Sequence, residues 1–142
     1  MKISKKAEYA LRALAILASK PPSCPIQITQ LAETGQIPVK FLEQILLILK
    51  KSGLLKSKRG IGGGYQLQRA AAEITLAEII RTIDGPLRAF QVDADAQQTP
   101  GYRGLQACLD ELSDQTEAFL EAETIASLLL REDPDGIMAF DI

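Results

Sequence analysis

The chain has 142 residues, 46% of them hydrophobic, which suffices for one ordinary domain with a real core and an appendage. It contains no histidine, so the commonest general base and the commonest zinc ligand are both missing. The formal net charge of −2 conceals an asymmetry: residues 1–69 carry twelve Lys and Arg against three acids, and residues 70–142 carry four against fifteen.

An acidic total would argue against a nucleic-acid partner. Phosphate binding depends on local charge, however, and a first half at +9 beside a second half at −11 favours it. No apolar run approaches the ~20 residues that a bilayer span requires. The basic start Met-Lys-Ile-Ser-Lys-Lys is followed by a stretch interrupted by Glu8 and Arg12, which lacks the apolar middle of a signal peptide. The reading is a cytoplasmic protein without a membrane partner. In that compartment Cys24 and Cys108 are not expected to form a structural disulfide.

Ser4 is placed to cap a first helix, in which Ala7, Ala10, Leu11, Leu14, Leu17 and Ala18 recur at helical spacing and which Pro21 and Pro22 end. A short second helix is expected over Ile28 to Thr34, with Ile28, Leu31 and Ala32 inward and Gly35 as a left-handed C-cap. Pro38 suits the first turn of a third helix, about Val39 to Lys51. Its Leu42, Ile45, Leu46 and Leu49 share one face, with Lys40, Glu43, Gln44 and Leu47 on the other. Two helices joined by a tight turn at Thr34 to Ile37 make a helix-turn-helix. Period-two alternation then appears over Leu54 to Lys58 and Tyr65 to Arg69, which predicts a β-hairpin around the glycines. Helix, helix-turn-helix and hairpin is the order of a winged helix.

Beyond the hairpin, Thr75 can cap a fourth helix, Leu76 to Ile83, which buries Leu76, Ile79, Ile80 and Ile83 and which Gly85-Pro86 stops. Residues 87–101 read as a loop. A long helix starts near Tyr102, and its Leu105, Leu109, Leu112, Thr116 and Phe119 are spaced four, three, four, three, a short heptad seam. Thr124 either caps a further helix, Ile125 to Leu130, or the long helix continues. The segment from Glu132 is an acidic tail.

The segment KSKRGIGGGYQLQR, residues 56–69, raises the question of phosphate. A P-loop needs Lys-Ser or Lys-Thr opening a helix after its glycines, and a dinucleotide fingerprint also needs a helix there. Here Gly64 runs into a strand pattern, so both nucleotide readings are weak and a bare hairpin tip is the structural alternative. Arg59 at the entrance, with Lys56 and Lys58 beside it, tilts the reading toward duplex phosphates: a tip built on Gly60, Gly62, Gly63 and Gly64 is thin, and arginine suits the potential of a narrow minor groove. The third helix is then the reader in the major groove. Gln44 can pair with adenine, Glu43 can accept from cytosine, and Lys40 can reach guanine or a phosphate. Against this, Glu43 as an ordinary solvated carboxylate would be repelled by DNA.

The stretches KAEYALRALAILA, IPVKFLEQILLILKKSGLLKSKRGIGGGYQL and ITLAEIIRTIDG together resemble the Rrf2 family of bacterial transcription regulators, the IscR, NsrR and CymR type, over the first two-thirds of the chain. LDELSDQTEAFL resembles, more loosely, the family's dimerisation helix. The resemblance implies a mainly α fold with a small β-hairpin, a winged helix-turn-helix plus a long C-terminal dimerisation helix. It divides the chain into a DNA-binding domain (1–84), a linker or effector loop (85–101), a dimerisation region (102–131) and an acidic tail (132–142). It implies a homodimeric regulator, a repressor, of palindromic double-stranded DNA. The DNA-contacting positions it carries over are Tyr9, Lys40, Phe41, Glu43, Gln44, Arg59 and Gly60, with core packing as the plain alternative for Tyr9 and Phe41. The dimer seam would be Leu105, Leu109, Leu112 and Phe119.

Sensor members of that family hold an iron–sulfur cluster on three cysteines in the loop before the dimerisation helix. Phe90 to Arg103 contains none, Cys108 falls inside the helix, and Cys24 lies between the first two helices. A cluster needs about three or four such ligands, so no cofactor is expected. Cys108 is expected to be a buried free thiol, with pooling of two Cys108 side chains across a dimer as a minor alternative. A rival reading makes the chain an interaction protein that works through a metabolic enzyme as co-regulator, favoured by the acidic second half. An enzyme ranks last: there is no nucleophile–base pair or cofactor loop, and the carboxylates at Asp93–Asp95 and Asp133–Asp135 read as solvated loops.

Overall fold

A computed structural model describes residues 2–87, 90 and 92–133. Residues 134–142 of the expected acidic tail, and Arg88, Ala89 and Gln91 of the expected loop, lie outside them. The described chain is six helices and a two-stranded antiparallel hairpin, in the order α1 (Lys5–Ala18), α2 (Ile28–Gly35), α3 (Val39–Lys51), β1 (Leu55–Lys58), β2 (Gly64–Leu67), α4 (Leu76–Asp84), α5 (Tyr102–Ala122) and α6 (Ile125–Glu132). The expected winged helix-turn-helix with a long carboxy-terminal helix is the fold observed.

The core is apolar and gathers around α1. Ala10, Ala13 and Leu14 of α1, Leu31 of α2, and Leu42, Ile45, Leu46 and Leu49 of α3 are fully buried together, closed by Leu54, Ile74, Ile79 and Ile125. Fully burying one such Leu or Ile contributes about 1.5–3 kcal/mol, so the four positions of α3 fix which way that helix faces. Its opposite face, with Lys40, Glu43, Gln44 and Leu47, is exposed, as the spacing predicts.

Ser4 caps α1, its hydroxyl accepting from the Ala7 N–H at 3.0 Å. The same hydroxyl donates to Asp84 at the end of α4, which fastens the two helix ends together. At the end of α2 the expected cap is displaced by one residue. Gln36, not Gly35, adopts the left-handed conformation, with φ 52°. Gly35 stays helical for a different reason, which is space: an added Cβ would lie 2.9 Å from Ile37 Cδ1 and 3.1 Å from Ile16 Cδ1. Pro38 also moves, preceding the first turn of α3 as its N-cap residue.

The hairpin pairs Leu55 with Leu67, Lys56 with Gln66, Ser57 with Tyr65 and Lys58 with Gly64. Its strands are shorter than the alternation suggested. Leu54 drops into the core and binds the end of α3, its N–H donating to the Leu49 carbonyl. Arg69 leaves the ladder to pair with Glu78 of α4. Tyr65 also exchanges two backbone hydrogen bonds with Ile26, at 2.8 and 3.0 Å, so the α1–α2 connection supports the hairpin from one side.

Thr75 caps α4 through the Glu78 N–H, and Gly85 stops it as expected, the helix running to Asp84, one residue beyond Ile83. Ile83 is half-buried rather than buried, because it lies at the rim where α4 leaves the core. Between α5 and α6 the open choice resolves in favour of a break. Thr124 and Ser127 form a reciprocal capping box. The chain there bridges back to the start of α4: Leu76 N–H donates to the Glu123 carbonyl, and Ile125 N–H to the Ile74 carbonyl. α6 thereby returns to α1 and seats Ile125 in the core.

Arg131 and, secondarily, Ser127 hydrogen-bond to the Glu123 carboxyl and pull its pKa down from 4.5 to about 2. A depressed carboxylate adds stability that is present above its unfolded pKa and lost as pH falls through its folded one. Thermal melts followed by circular dichroism should therefore show wild-type stability falling as pH drops from about 4.5 toward about 2, with a shallower fall in Glu123→Gln.

Candidate nucleic-acid interface

The tip of the hairpin is Arg59-Gly60-Ile61-Gly62-Gly63, closed by the Gly63 N–H donating to the Gly60 carbonyl at 3.0 Å. Gly62 occupies the third position of that turn at φ 76°, where side chains are strained. Gly63 is required by space: an added Cβ would sit 2.2 Å from the Lys58 carbonyl oxygen. The glycines thus fold the tip so tightly that only Arg59 and Ile61 project from it, and Ile61 is fully exposed.

Reader and wing are joined directly. α3 packs on β1, and Lys50 Nζ near the end of α3 donates to Ser57 Oγ at 2.7 Å. The outward polar side chains of the first two turns of α3 are free. Lys40, Glu43 and Gln44 make no side-chain hydrogen bond or ion pair with any described residue, and neither does Arg59. This contrasts with Arg12, Arg69, Arg81 and Arg131, each of which is engaged by a carboxylate. Acids in the second half therefore occupy Arg69, Arg81 and Arg131, while Lys40 on α3 and Arg59 at the wing tip stay available.

Phe41 is 53% exposed, so it does not pack in the core. Tyr9 is half-buried, and its ring lies 6.4 Å from that of Phe41 at a 46° tilt. The two aromatic positions thus meet where α1 passes the first turn of α3. Arg12 belongs to the same patch, though in the sequence it is only a break in an apolar run. Its Nη2 donates to Glu8 Oε1 at 2.6 Å, its Nη1 to the Gly35 carbonyl at 3.2 Å, and its guanidinium lies 5.3 Å from the Tyr9 centroid. The i, i+4 spacing of Glu8 and Arg12 was the available signal. Arg12 first, and Lys5 next, hold the Glu8 carboxyl below its ordinary range.

No residue of α5 is buried in the single chain. Leu105, Leu112 and Phe119 of the heptad seam are 50%, 42% and 57% exposed, and Leu109 is half-buried. Cys108 is exposed rather than buried as expected, because it lies on this unpacked helix; Cys24 is exposed too.

A helix packed by one face and bare on the other, beside a glycine-thin wing, defines a winged helix-turn-helix transcription regulator. Comparison with known proteins narrows this. The family model for Rrf2, described as an iron-dependent transcriptional regulator, matches residues 3–131, and the chain belongs to that family. It is 44% identical over 132 residues to an HTH-type transcriptional regulator of Mycobacterium tuberculosis, covering 90% of this chain and 81% of that one. It is 32% identical over 134 residues to the regulator IscR of Photorhabdus laumondii, covering 91% and 79%. Among solved structures, CymR, the global cysteine regulator of B. subtilis, superposes with a TM-score of 0.78 at 32% identity, covering 90% of this chain and 95% of that one. These proteins are transcription regulators, not enzymes.

The family description names iron, and the donors of this chain do not fit an iron–sulfur cluster. The two cysteines sit on separate elements, there is no histidine, and no group of three or more His, Cys, Asp or Glu among the described residues could hold a metal ion. No helix among those residues is long and apolar enough to cross a membrane.

Two substitutions test whether the wing tip grips the backbone and α3 reads base edges. Arg59→Ala should weaken duplex binding about tenfold on all sequences, measured by fluorescence anisotropy. Gln44→Ala should instead reduce discrimination between a selected site and a scrambled one by about 1–3 kcal/mol, with non-specific affinity nearly unchanged.

Proposed function

We propose that this regulator is a homodimer that binds palindromic DNA sequence-specifically and represses by occluding a promoter, without an iron–sulfur cluster. In this reading α3 lies in the major groove of each half-site, with Lys40, Glu43 and Gln44 toward base edges, and Arg59 enters the adjacent minor groove on its glycine tip. Tyr9, Phe41 and Gly60 approach the backbone. Glu43 then acts as a selectivity element, since a carboxylate at a DNA surface lowers affinity wherever no cytosine amino group meets it. The observation that carries the reading is the unengaged polar face of α3 beside an unengaged arginine on the wing.

The dimer rests on α5. A stripe of Leu105, Leu109, Leu112 and Phe119 left open to water is the mark of an unpaired coiled-coil seam. Leu112 and Phe119 also line a groove of about 490 Å³, whose floor and walls include Ile3, Ile80, Leu87 and Leu120. The groove continues the seam, and a second copy of α5 is the occupant that matches its apolar lining.

The test is an anisotropy titration on duplexes selected from a random library, run across a salt series. With six or more phosphates neutralised per dimer, affinity should fall about a thousandfold or more between ~50 and ~200 mM salt; salt-independent or absent binding would refute the reading. Leu112→Asp should shift the chain to a monomer by light scattering and remove the preference for a palindrome over an isolated half-site.

A further inference from the structure

Lys5, Glu8, Tyr9 and Arg12 fall three, four and seven residues apart and form one outward stripe of α1. Every member of the stripe touches another. Lys5 Nζ lies 3.4 Å from Glu8 and 5.7 Å from the Tyr9 centroid, on the ring that Arg12 also covers. The stripe ends against Phe41 on the first turn of α3. Arg12 is its hub because a single guanidinium serves three neighbours at once. One nitrogen holds Glu8, another holds the Gly35 carbonyl that ends α2, and the planar group covers the Tyr9 ring.

Two features make this arrangement consequential. The Gly35 carbonyl sits one residue before the left-handed turn at Gln36 that aims α3, so Arg12 ties α1 to the turn itself. Glu8 places a carboxylate on the face that meets the first turn of the reader helix. An uncompensated negative charge there would repel the phosphates of an approaching duplex.

Resting on the DNA-binding reading above, we propose that Arg12 is a positioning residue for the DNA-contacting surface: it fixes Tyr9 against Phe41 and the end of α2, and cancels the charge of Glu8, without itself contacting phosphate. A lysine cannot replace it, because a compact ammonium has no planar face to lie on the ring while its donors reach Glu8 and the Gly35 carbonyl at once.

Anisotropy titrations of the full chain on a library-selected duplex, at several salt concentrations, distinguish the possibilities. Arg12→Ala should bind about tenfold more weakly, as for one lost contact at such a surface, while the double variant Glu8→Gln/Arg12→Ala, whose local charge equals that of the intact pair, should keep the wild-type slope of log affinity on log salt. Arg12→Lys should remain weak. The double variant Glu8→Gln/Arg12→Ala should recover part of the loss, a recovery that simple loss of packing would not produce. Three results would each overturn the role: a slope shallower by about one in the charge-neutral double variant, which marks a direct phosphate contact; wild-type affinity in Arg12→Ala or Arg12→Lys; or no recovery in the double variant. A wild-type chain without DNA affinity would overturn the DNA reading and this role together, whereas a binding wild type with an indifferent Arg12 overturns only the latter.

Discussion

Everything outward-facing in this molecule depends on one contact, the burial of Leu42, Ile45, Leu46 and Leu49 against α1 and α2. A helix has only one way to hide four such side chains at spacings of three and four. Once they are inside, Lys40, Glu43 and Gln44 have no choice of direction. The same helix then dictates where the wing stands, through the Leu54 amide on the Leu49 carbonyl and the Lys50 ammonium on Ser57.

Charge is partitioned along similar lines. Carboxylates of α4, of α5 and of the α5–α6 junction engage Arg69, Arg81 and Arg131, with Glu117 and Glu121 sharing Arg81 between α4 and α5. These pairs are solvent-accessible and individually modest in strength. Their larger effect is on distribution, because they neutralise charge on the body and the long helix. A chain with an acidic total thereby leaves Lys40 and Arg59 uncovered.

Much of this was legible in the sequence. The boundaries of α3 follow from its apolar spacing, and the caps at Ser4, Thr75 and Thr124 from side-chain chemistry that acts within four residues. What escaped was decided at longer range. Gly35 looked like a cap and is instead a spacer, because its neighbours Ile37 and Ile16 come from the turn and from another helix. Arg69 read as part of a strand and is drawn away by Glu78, nine residues on. Cys108 read as buried because free cysteines usually are, whereas α5 has no cover in one chain. Arg12 acquires its meaning only when α2 and α3 are folded beside α1.

The break at Thr124 has a mechanical corollary. At its carboxyl end α5 is clamped, by the backbone bridge to α4, by Arg81 and by the return of Ile125 to the core. At 21 residues it is about 31 Å long, and no described residue packs on its first turns closely enough to bury any side chain there. It is a cantilever rather than a tether. In the dimer proposed above, two such beams laid together would set the separation and tilt of the bodies they carry by rigid geometry, not by the slack of a linker.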